Sequence, residues 1–550
     1  MQRSLDSLQS TVFDLLVIGG GILGASVARD AALRGLRVAL VERGDWGGGT
    51  SANSLRIVHG GLRYLQHLDL RRMRESIRER STWLRIAPHL VEPLPVLVPT
   101  CGWGLRGKPA LRAALAVNDV MAWDRNRALA PDRHLPAGRG VSRAECLALV
   151  PELEAPGLTG GVLFCDAQMY SSERLVLETV MGAVEAGADA ANYLEVTGPL
   201  RRGGRLEGVV ARDRGDESTG LEIRARVIVN AAGPGAPGLA AALLGMPVAR
   251  PPIGYTLAFN IGVEATGHRV AFAISGGTGD PNALLRRGPR QLFVVPWRGC
   301  TLIGTAHLPY DGDPAAFDAA GVDLEAFLAE VRAAWRGPVW SPEDVRLLHA
   351  GLLPGRTEGG PSARVVRLDT RHRLVDHAAD GVPSLLTLAS IKFTTARRVA
   401  EEATDRVCAK LGRAAACRTA DTPLRGAPEA SIERLVSDAR RRHDGVPPLV
   451  LEHLVRTYGR HYEEVLRVAA GGAGPEWLEP LYPGGGVVFA QFIHAVRAEM
   501  ALTAADIVER RTELGAVGRD SPALRARAGE ALAGVSSLAR PITPDAPRAS

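Results

Sequence analysis

Paired cysteines are missing from this sequence. Its six cysteines contain no C-x-x-C pair, and they are Cys101, Cys146, Cys165, Cys300, Cys408 and Cys417. A structural zinc site or a redox-active disulfide usually needs closely spaced thiols, so neither kind of site is supported. Six free thiols are typical of a protein in a reducing compartment.

Long apolar runs are also missing. No stretch of about 18 apolar residues could span a bilayer. Asp6 and Asp14 interrupt the positive-then-apolar pattern of a signal peptide. We therefore expect a cytoplasmic protein, or one that is peripheral on the cytoplasmic face of the inner membrane.

Lysine is scarce, although the chain is slightly basic. Lys108, Lys392 and Lys410 are the only lysines among 66 basic residues, which face 60 acidic ones for a formal charge of +6. The arginines are spread along the chain, so their excess is read as genome composition and no nucleic-acid partner is predicted. A weakly basic surface would still favour an anionic membrane face.

The length of 550 residues and a hydrophobic content of 46% fit a soluble protein with more than one domain. Near the start, an apolar strand runs into G-x-G-x-x-G, formed by Gly19, Gly21 and Gly24. A helical pattern follows, and a second strand, 38–41, ends at Glu42. This strand–turn–helix–strand pattern with an acid about 20 residues on predicts a dinucleotide site. The helix N-terminus favours the pyrophosphate, and Glu42 would accept hydrogen bonds from the ribose.

The loop after Glu42, RGDWGGGTSANSLRIVHGGLRYLQHLDL, is rich in glycine and serine. A nicotinamide enzyme would resume regular structure promptly, whereas the extended pyrophosphate and ribityl chain of a flavin need many backbone donors. The pattern therefore favours a flavin. A basic amphipathic helix is predicted next, over 70–86.

Two further signatures lie far along the chain. In ARVIVNAAGPG (225–235), a strand ends in small residues at Gly233, which permits close approach by a cofactor or by a packed helix. In SLLTLASIKFTTARRVAEEATDRVCAK (384–410), a strand precedes Lys392 and two helix-capping candidates, Thr394 and Thr395. This helix N-terminus would favour the negative charge of a reduced flavin, and Lys392 would add a positive charge or bind a substrate anion. A surface lysine flanking a helix is the alternative.

The remaining pattern predicts the other elements. Strands are expected over 158–166 and in much of 250–310, the latter as an antiparallel sheet covering the substrate. Helices are expected over 172–186, 432–441, 448–458, 462–469 and 489–512, and a mobile tail from Ser521. Trp103, near Arg106 and Lys108, is read either as a membrane-interface residue or as a core residue.

These three signatures, with HGGLRYL between the first two, resemble the FAD-dependent (aerobic-type) glycerol-3-phosphate dehydrogenases of the D-amino-acid-oxidase-like flavoprotein superfamily. The resemblance covers Phe13 to about Leu514. VIGGGILGASVARDAALRGLRVALVE resembles the FAD motif of that family, and TSANSLRIVHGGLRYLQH resembles its flavin loop. TLIGTAHLPYDGDP, IKFTTARRVAEE and AVRAEMALTAADIVERRTELG are similar to three later segments of the family.

The resemblance implies an α/β fold. A glutathione-reductase-like Rossmann FAD domain would carry an antiparallel-sheet substrate domain and a helical C-terminal domain. The expected boundaries are 1–420 for the interleaved FAD and substrate domains, with the substrate part mainly at 90–190 and 245–350. The helical domain would occupy 421–520, and a flexible tail 521–550. A homodimer is also considered.

The resemblance further implies roles for individual residues. The cofactor residues would be Gly19, Gly21, Gly24, Glu42, Thr50, Ser51, Ser54, His59, Gly60, Gly61, Val196, Gly233, Thr305, Lys392, Phe393 and Thr394. The substrate residues would be Arg63, Thr256, Leu353, Arg371 and Lys392. The catalytic residues would be His59, Arg63, His307 and Lys392, with the two histidines as candidate bases because imidazole titrates near working pH.

The sequence departs from the family pattern at the substrate positions. Leu353 stands where the family has an arginine in S-G-V-R-P-L, and Thr256 stands where it has the histidine of K-G-S-H. Ser390-Ile391 replaces a Gly-Gly, and His307 replaces an aspartate. Leucine cannot hold a phosphate through charge-assisted bonds as arginine does.

The resemblance implies oxidation of sn-glycerol 3-phosphate to dihydroxyacetone phosphate, with hydride passing to flavin N5 and electrons passing on to a quinone. Because of Leu353 and Thr256, a related flavoenzyme acting on a hydroxy acid, a polyol or an amine stays open. A flavin-binding subunit without turnover and a nicotinamide dehydrogenase are further alternatives.

Overall fold

The computed structural model describes residues 1–67, 69–102, 107–246, 254–279, 289–319, 321–358, 365–471, 475–512 and 514–535. The α-helices are α1 (Leu5–Ser10), α2 (Ile22–Leu33), α3 (Leu70–Ile86), α4 (Lys108–Met121), α5 (Arg143–Leu149), α6 (Ser172–Glu185), α7 (Ala236–Leu244), α8 (Leu324–Ala334), α9 (Ala396–Lys410), α10 (Ile432–Arg442), α11 (Pro448–Tyr458), α12 (Tyr462–Ala470), α13 (Phe489–Ala498) and α14 (Pro522–Val535). The strands are β1 (Val12–Ile18), β2 (Val38–Val41), β3 (Ile57–Val58), β4 (Val91–Cys101), β5 (Arg139–Val141), β6 (Leu158–Met169), β7 (Asp189–Ala191), β8 (Leu194–Arg202), β9 (Arg205–Asp213), β10 (Asp216–Asn230), β11 (Tyr255–Glu264), β12 (Ala271–Gly279), β13 (Pro289–Trp297), β14 (Cys300–Pro309), β15 (Leu347–Glu358), β16 (Val365–Leu368), β17 (Arg373–Asp376) and β18 (Leu385–Ala389).

The first sheet has β1 near its centre, in the order β17-β18-β10-β1-β2-β7, with the β8–β9 hairpin joined to β10. β1 pairs in parallel with β2 and β10, and β10 pairs in parallel with β18. From Leu15 to Ile18, β1 is a continuous apolar run because both faces of the sheet are covered. Helix α2, which packs with α6 and α9, lies on one face, and a second apolar cluster covers the other. The strands that carry the three sequence signatures, β1, β10 and β18, are therefore neighbours, and their carboxyl ends meet at one edge.

The second sheet is mostly antiparallel, in the order β16-β15-β11-β14-β13-β12-β4-β6-β3, with β5 paired to β6. One face of β11 packs Tyr255, Leu257 and Phe259 into an apolar core that includes residues of α8. The opposite face, named here the ligand-side face, is the one expected to cover the substrate, and its β11 residues are buried too. The predicted strand-rich sheet over 250–310 is confirmed, and β4 and β6 extend it further than expected.

Helices α10 to α14 form the C-terminal part, as the helical patterning predicts. The prediction of one helix over 489–512 is wrong. α13 ends at Ala498, Met500 has a positive φ of 56°, and a π-helix covers Asp506–Arg511. The helix ends here because Glu499, the residue after α13, turns its buried carboxylate toward Arg174 of α6 and pairs with it.

The prediction of a mobile tail from Ser521 is wrong for its first part. α14 packs Leu524, Ala528 and Ala531 against the apolar cluster around α13, so this segment is held by burial. Residues 536–550 lie outside the described residues, as do Trp103 to Arg106 of the segment considered for membrane contact.

In the part of the chain that the structure describes, no helix is both long and apolar enough to cross a bilayer.

Candidate functional site

The glycine turn connects β1 to α2 without space for side chains. Gly19 has a φ of +109°, and a Cβ there would lie 2.5 Å from the carbonyl oxygen of Ala231 at the end of β10. A Cβ on Gly24 would lie 1.9 Å from the carbonyl oxygen of Gly19. Glycine is therefore required at both positions, since α2 and β10 approach the turn at backbone contact distance.

Glu42 connects this turn to the following loop. Its carboxylate accepts hydrogen bonds from the backbone N–H of Gly20 at 2.6 Å and of Gly44 at 2.8 Å. Burial raises the pKa of Glu42, while these two backbone bonds act to lower it. The role of Glu42 in binding a ribose stays a prediction.

The flavin loop (residues 50–61) is held on both sides. The Ser51 hydroxyl accepts a hydrogen bond from the N–H of Ile22, the first residue of α2, at 3.0 Å. The Thr50 hydroxyl donates to the carbonyl of Leu352 in β15 at 3.3 Å. The loop therefore bridges the helix that begins the first sheet and a strand of the second. Ser54 accepts a hydrogen bond from the backbone N–H of Arg56 at 3.2 Å.

The end of the flavin loop lies against the N-terminus of α9. The Thr394 hydroxyl accepts a hydrogen bond from the N–H of His59 at 3.3 Å, and the Thr394 carbonyl accepts one from the indole of Trp83 at 2.9 Å. The ring of Phe393 lies 6.3 Å from that of Trp83. Thr395 occupies the N-cap of α9, as predicted, but makes no side-chain cap bond among the described residues. Thr394 is not the cap, and its hydroxyl holds the flavin loop instead.

The backbone of Gly60 is held by the buried ion pair of Arg80 and Asp166. Its N–H donates to Asp166 at 2.6 Å, and Arg80 donates to the same carboxylate at 2.6 Å. A Cβ on Gly60 would lie 2.4 Å from the guanidinium of Arg80, and Gly61 has a φ of +80°. The paired glycines of HGGLRYL thus allow the loop to lie directly on a buried ion pair.

A cationic stack surrounds Tyr64, which the sequence analysis did not single out. The Lys392 ammonium lies 4.0 Å from the centroid of the Tyr64 ring, and the Arg72 guanidinium lies 4.3 Å from it. The His59 ring makes an edge contact with the same ring at 5.9 Å. Burial, reinforced by the charge of Arg72, lowers the pKa of Lys392 to about 7. HGGLRYL contained the signal for Tyr64.

The ligand-side face of the second sheet gathers residues from three strands. Because β11 buries Tyr255, Leu257 and Phe259 on its core side, the alternate residues Thr256, Ala258 and Asn260 face the other way. In the strand register, each of these three residues pairs with one residue of β15 and one residue of β14. The three rows are Leu353–Thr256–Pro309, Gly351–Ala258–His307 and His349–Asn260–Gly304, with Thr305 at the bulge next to Gly304.

Small residues in the middle row let the flavin loop approach this face. A Cβ on Gly351 would lie 3.2 Å from the methyl group of Thr50. The Thr305 hydroxyl donates to Asn260 at 2.7 Å, which fixes that amide, another residue missed in the sequence. The predicted residues Thr256, Thr305, His307 and Leu353 are therefore brought to one face opposite the loop.

The two departures at substrate positions are direct neighbours across the strands. Thr256 pairs with Leu353 between β11 and β15. Thr256 is fully buried, and its hydroxyl has no hydrogen-bond partner among the described residues. A buried hydroxyl without a partner is unusual in a folded protein. Because Thr256 is fully buried beneath its neighbours, a role for its hydroxyl in substrate binding stays a prediction.

The other predicted site residues lie in four places. Gly233 has a φ of +56°, and its carbonyl accepts a hydrogen bond from Tyr255 at 3.2 Å, which joins the end of β10 to β11. Val196 pairs with Ala211 in the β8–β9 hairpin and packs at the edge of an apolar core. Arg371 lies in the exposed turn between β16 and β17. Arg63 lies in the 3₁₀ turn Leu62–His67, and its side chain lies outside the described residues.

Comparison with known proteins gives two family matches. Residues 14–406 match the model of the FAD dependent oxidoreductases, and residues 417–535 match the C-terminal domain of alpha-glycerophosphate oxidase. The glycerol-3-phosphate dehydrogenase of Synechocystis sp. is 34% identical over 530 residues, covering 94% of this chain and 92% of that protein. The glycerol-3-phosphate dehydrogenase of Mycobacterium leprae is 33% identical and covers 91% of this chain and 80% of that protein.

Among solved structures, the X-ray structure of the glycerol-3-phosphate dehydrogenase from Bacillus halodurans complexed with FAD has the same fold. It superposes with a TM-score of 0.71 and 24% identity, covering 99% of this chain and 98% of that one.

Proposed function

Because this chain belongs to the FAD-dependent glycerol-3-phosphate dehydrogenase family, we propose that it oxidises sn-glycerol 3-phosphate to dihydroxyacetone phosphate. The observation that carries the proposal is the convergence of four parts. The glycine turn, the flavin loop, the N-terminus of α9 and the ligand-side face of the second sheet lie against one another. The division into domains near residue 420 is part of the proposal, and the family matches support it by ending at 406 and resuming at 417.

The residues present fit FAD. The closely packed Gly19 and Gly24 hold the N-terminus of α2 against the glycine turn, and a helix N-terminus favours a pyrophosphate. Gly351 lets Thr50 pack directly against the ligand-side face, which holds the flavin loop beside the residues proposed to contact the flavin ring. FAD supplies the two-electron acceptor for the hydride from substrate C2.

The residues of the chain would bind and orient the substrate. Lys392, partly buried beside Tyr64, supplies positive charge at the flavin end of α9 and holds the anionic group of the substrate together with Arg63 and Arg371. His59 and His307 are the candidate bases for the hydroxyl proton, one on the flavin loop and one on the sheet face. Water is excluded from the space between these elements as the substrate binds, which strengthens the charge interactions.

A related flavoenzyme with another substrate is the second candidate. The adjacency of Thr256 and Leu353 favours it, since the two changes form one altered patch of the face. An uncharged leucine in place of an arginine suits an uncharged substrate group better than a phosphate.

Anaerobic bleaching of the bound flavin tests both candidates. The purified yellow protein is mixed with sn-glycerol 3-phosphate, glycerol and simple 2-hydroxy acids in separate experiments. Rapid bleaching by the phosphate ester alone supports the proposal. Bleaching only by an unphosphorylated compound favours the second candidate, and a colourless protein would contradict both.

The electron acceptor is proposed to be a quinone, reached from a membrane surface. Support comes from α4, which buries Leu115 and Asn118 and exposes apolar residues on another side. Val120 is 72% exposed, and Trp123, just beyond the helix, is 75% exposed. An exposed tryptophan with nearby arginines is typical of interfacial contact.

Flotation with anionic lipid vesicles tests the membrane contact. The double variant Val120→Ser/Trp123→Ser is expected to float less than the parent protein, while Val339→Ser, which removes an equally exposed residue elsewhere, is expected to float normally. Equal flotation of all three proteins would contradict this surface.

A cytoplasmic location is proposed with it, since the described cysteines are free and Cys146, Cys165, Cys300 and Cys408 are buried. The homodimer stays a prediction, which light scattering of the purified protein tests.

A further inference from the structure

The 43–49 loop supports the glycine turn from outside the cofactor site. The N–H of Gly47 donates to the carbonyl of Gly20 at 3.0 Å. The indole of Trp46 is fully buried, and a Cβ on Gly20 would lie 2.4 Å from it. Together with the bonds of Glu42 to Gly20 and Gly44, these contacts make the position of the turn depend on the position of this loop.

The same loop is held by the C-terminal helical part of the chain. Asp45 accepts two hydrogen bonds from Arg511, at 2.6 and 2.8 Å, and one from Arg510 at 2.6 Å. The side chains of Asp45 and Arg511 are both fully buried. Asn192 donates one amide group to Asp45 at 3.0 Å and to the carbonyl of Met500 at 2.9 Å, which adds a second bridge.

The π-helix makes the double contact with Asp45 possible. In an α-helix, residue i+5 lies about 140° around the axis from residue i, because each residue turns about 100°. The wider turn of a π-helix, with its i→i+5 bonds, brings residues i+4 and i+5 back over residue i. Asp506, Arg510 and Arg511 therefore lie on one side, where Arg510 also donates to Asp506 at 2.6 Å. π-turns are frequent at functional positions.

We infer that Arg511, with Arg510, is a positioning residue for FAD. Through Asp45 it fixes the 43–49 loop, and through Trp46 and Gly47 that loop fixes the glycine turn that receives the cofactor. Docking of the C-terminal domain and FAD binding are therefore coupled, although Arg511 itself lies outside the cofactor site. The inference depends on the assignment of FAD and is independent of the substrate.

The coupling is reciprocal. If the docked domain increases the affinity for FAD by a given factor, then bound FAD must stabilise the docked domain by the same factor. Couplings of this kind usually amount to about 5- to 150-fold. A purely structural clamp would stabilise the protein without linking these two equilibria.

A second buried ion pair in the same interface provides the matched control. Arg174 of α6 pairs with Glu499 beyond α13, and both side chains are as buried as those of Asp45 and Arg511. Arg174 also contacts Glu178 and the ring of Tyr458. Among the described residues, these contacts of the Arg174 side chain join the two domains without a hydrogen bond or ion pair to the 43–49 loop. Arg511 meets this pair at the backbone carbonyl of Glu499, which Arg174→Met leaves in place.

The first experiment compares FAD release from the holoenzymes Arg511→Met and Arg174→Met, followed as the rise in FAD fluorescence on dilution without substrate. Arg511→Met is expected to release FAD at least about tenfold faster than the parent. Arg174→Met is expected to stay within about twofold of the parent, even with a similar loss of thermal midpoint. Release rates that follow the loss of stability equally in both variants would overturn the inference.

The second experiment measures backbone hydrogen exchange in residues 499–512 with and without FAD. In the parent, FAD is expected to slow exchange there, and in Arg511→Lys, which keeps the charge but loses the two-pronged contact, this protection is expected to shrink. If Arg511→Met does not fold, Asn192→Ala is the milder substitution, and it should also release FAD faster than the parent. Unchanged exchange on adding FAD to the parent would contradict the coupling, whatever the substrate proves to be.

Discussion

Lys392 carries the clearest prediction at the scale of a single residue. Burial lowers its pKa to about 7, so its positive charge is present below that pH and lost above it. The KM for an anionic substrate is therefore expected to rise above pH 7, by up to about tenfold per pH unit. Lys392→Arg keeps the charge at all these pH values and should flatten the profile.

Lys410→Arg provides the control for that measurement. Lys410 pairs with Asp376 at the other end of α9, so its replacement should leave the pH profile as in the parent. A parent KM that stays constant from pH 6 to 9 would rule out Lys392 as the anion-binding group.

Leu353 tests the substrate at the same scale. If the phosphate of the substrate lies over the row Leu353–Thr256–Pro309, Leu353→Arg adds a charge-assisted contact. The KM for sn-glycerol 3-phosphate is expected to fall about tenfold, and that for glycerol to stay unchanged. Leu353→Met conserves volume and should leave both constants nearly unchanged. Equal constants in the arginine and methionine variants would show that the phosphate binds elsewhere.

The sequence could indicate these residues singly but not their arrangement. Thr256 and Leu353 are 97 positions apart, and only the register of β11 with β15 makes them neighbours. Asn260 and Asp166 were missed because each acts through a buried contact with a distant element. A motif shows which residues are unusual, whereas the strand register decides which residues share a face.

At the scale of elements, strong periodicity was sufficient for prediction. The helices α3 and α11 and the strand β2 have the predicted bounds, because apolar residues recur at helical spacing through most of α3 and α11 and are consecutive in β2. The apolar stripe over 489–512 has the same periodicity, yet the helix breaks at Glu499. The reason is a buried carboxylate whose partner, Arg174, is 325 residues away, which no local pattern contains.

The contact between α2 and the glycine turn gives a prediction for an element. Gly24→Ala places a methyl group 1.9 Å from the Gly19 carbonyl and must push α2 away from β1. We expect a loss of bound FAD, seen as a lower flavin-to-protein absorbance ratio, and a lower thermal midpoint from about 1–3 kcal/mol of overpacking.

Gly49→Ala is the matched control for that variant. It ends the 43–49 loop, has no positive φ, and a Cβ there would meet nothing within 4 Å, so the methyl group should not disturb the contacts of that loop. It should keep its full complement of FAD. A Gly24→Ala protein that is as yellow as the control would show that α2 can shift without disturbing the cofactor site.

At the scale of the whole molecule, the sequence predicted the parts but not how they are joined. Asp45 and Arg511 are 466 residues apart and look like surface charges in the sequence. Both are buried because each satisfies the other, and a buried charge is tolerated only with such a partner. Charge pairing across a domain interface leaves no periodic trace in either segment, so it could not be predicted.

These buried carboxylates predict how the molecule responds to acid. Burial alone would raise the pKa of Glu178, but His89 and Arg174 outweigh it and lower the pKa to about 2. Arg511 and Arg510 likewise outweigh burial at Asp45, lowering its pKa to about 2. A carboxylate of this kind adds stability that is fully present above its unfolded pKa of about 4 and is lost as pH falls through the folded value.

The free energy of unfolding should therefore decrease from about pH 5 downward, with Glu178 accounting for about 3 kcal/mol of the change. Glu178 also accepts a hydrogen bond from the N–H of Gly426, where the C-terminal domain begins, so the two domains should separate in the same pH range.

Glu178→Gln is expected to be less stable than the parent at pH 7 but to lose less stability between pH 5 and 3. Glu195→Gln, which disrupts a half-exposed pair with Arg212 on the β8–β9 hairpin, should keep the parent slope. Thermal midpoints at each pH measure this, and parallel curves for the parent and Glu178→Gln would mean that the interface carboxylates do not control the acid response.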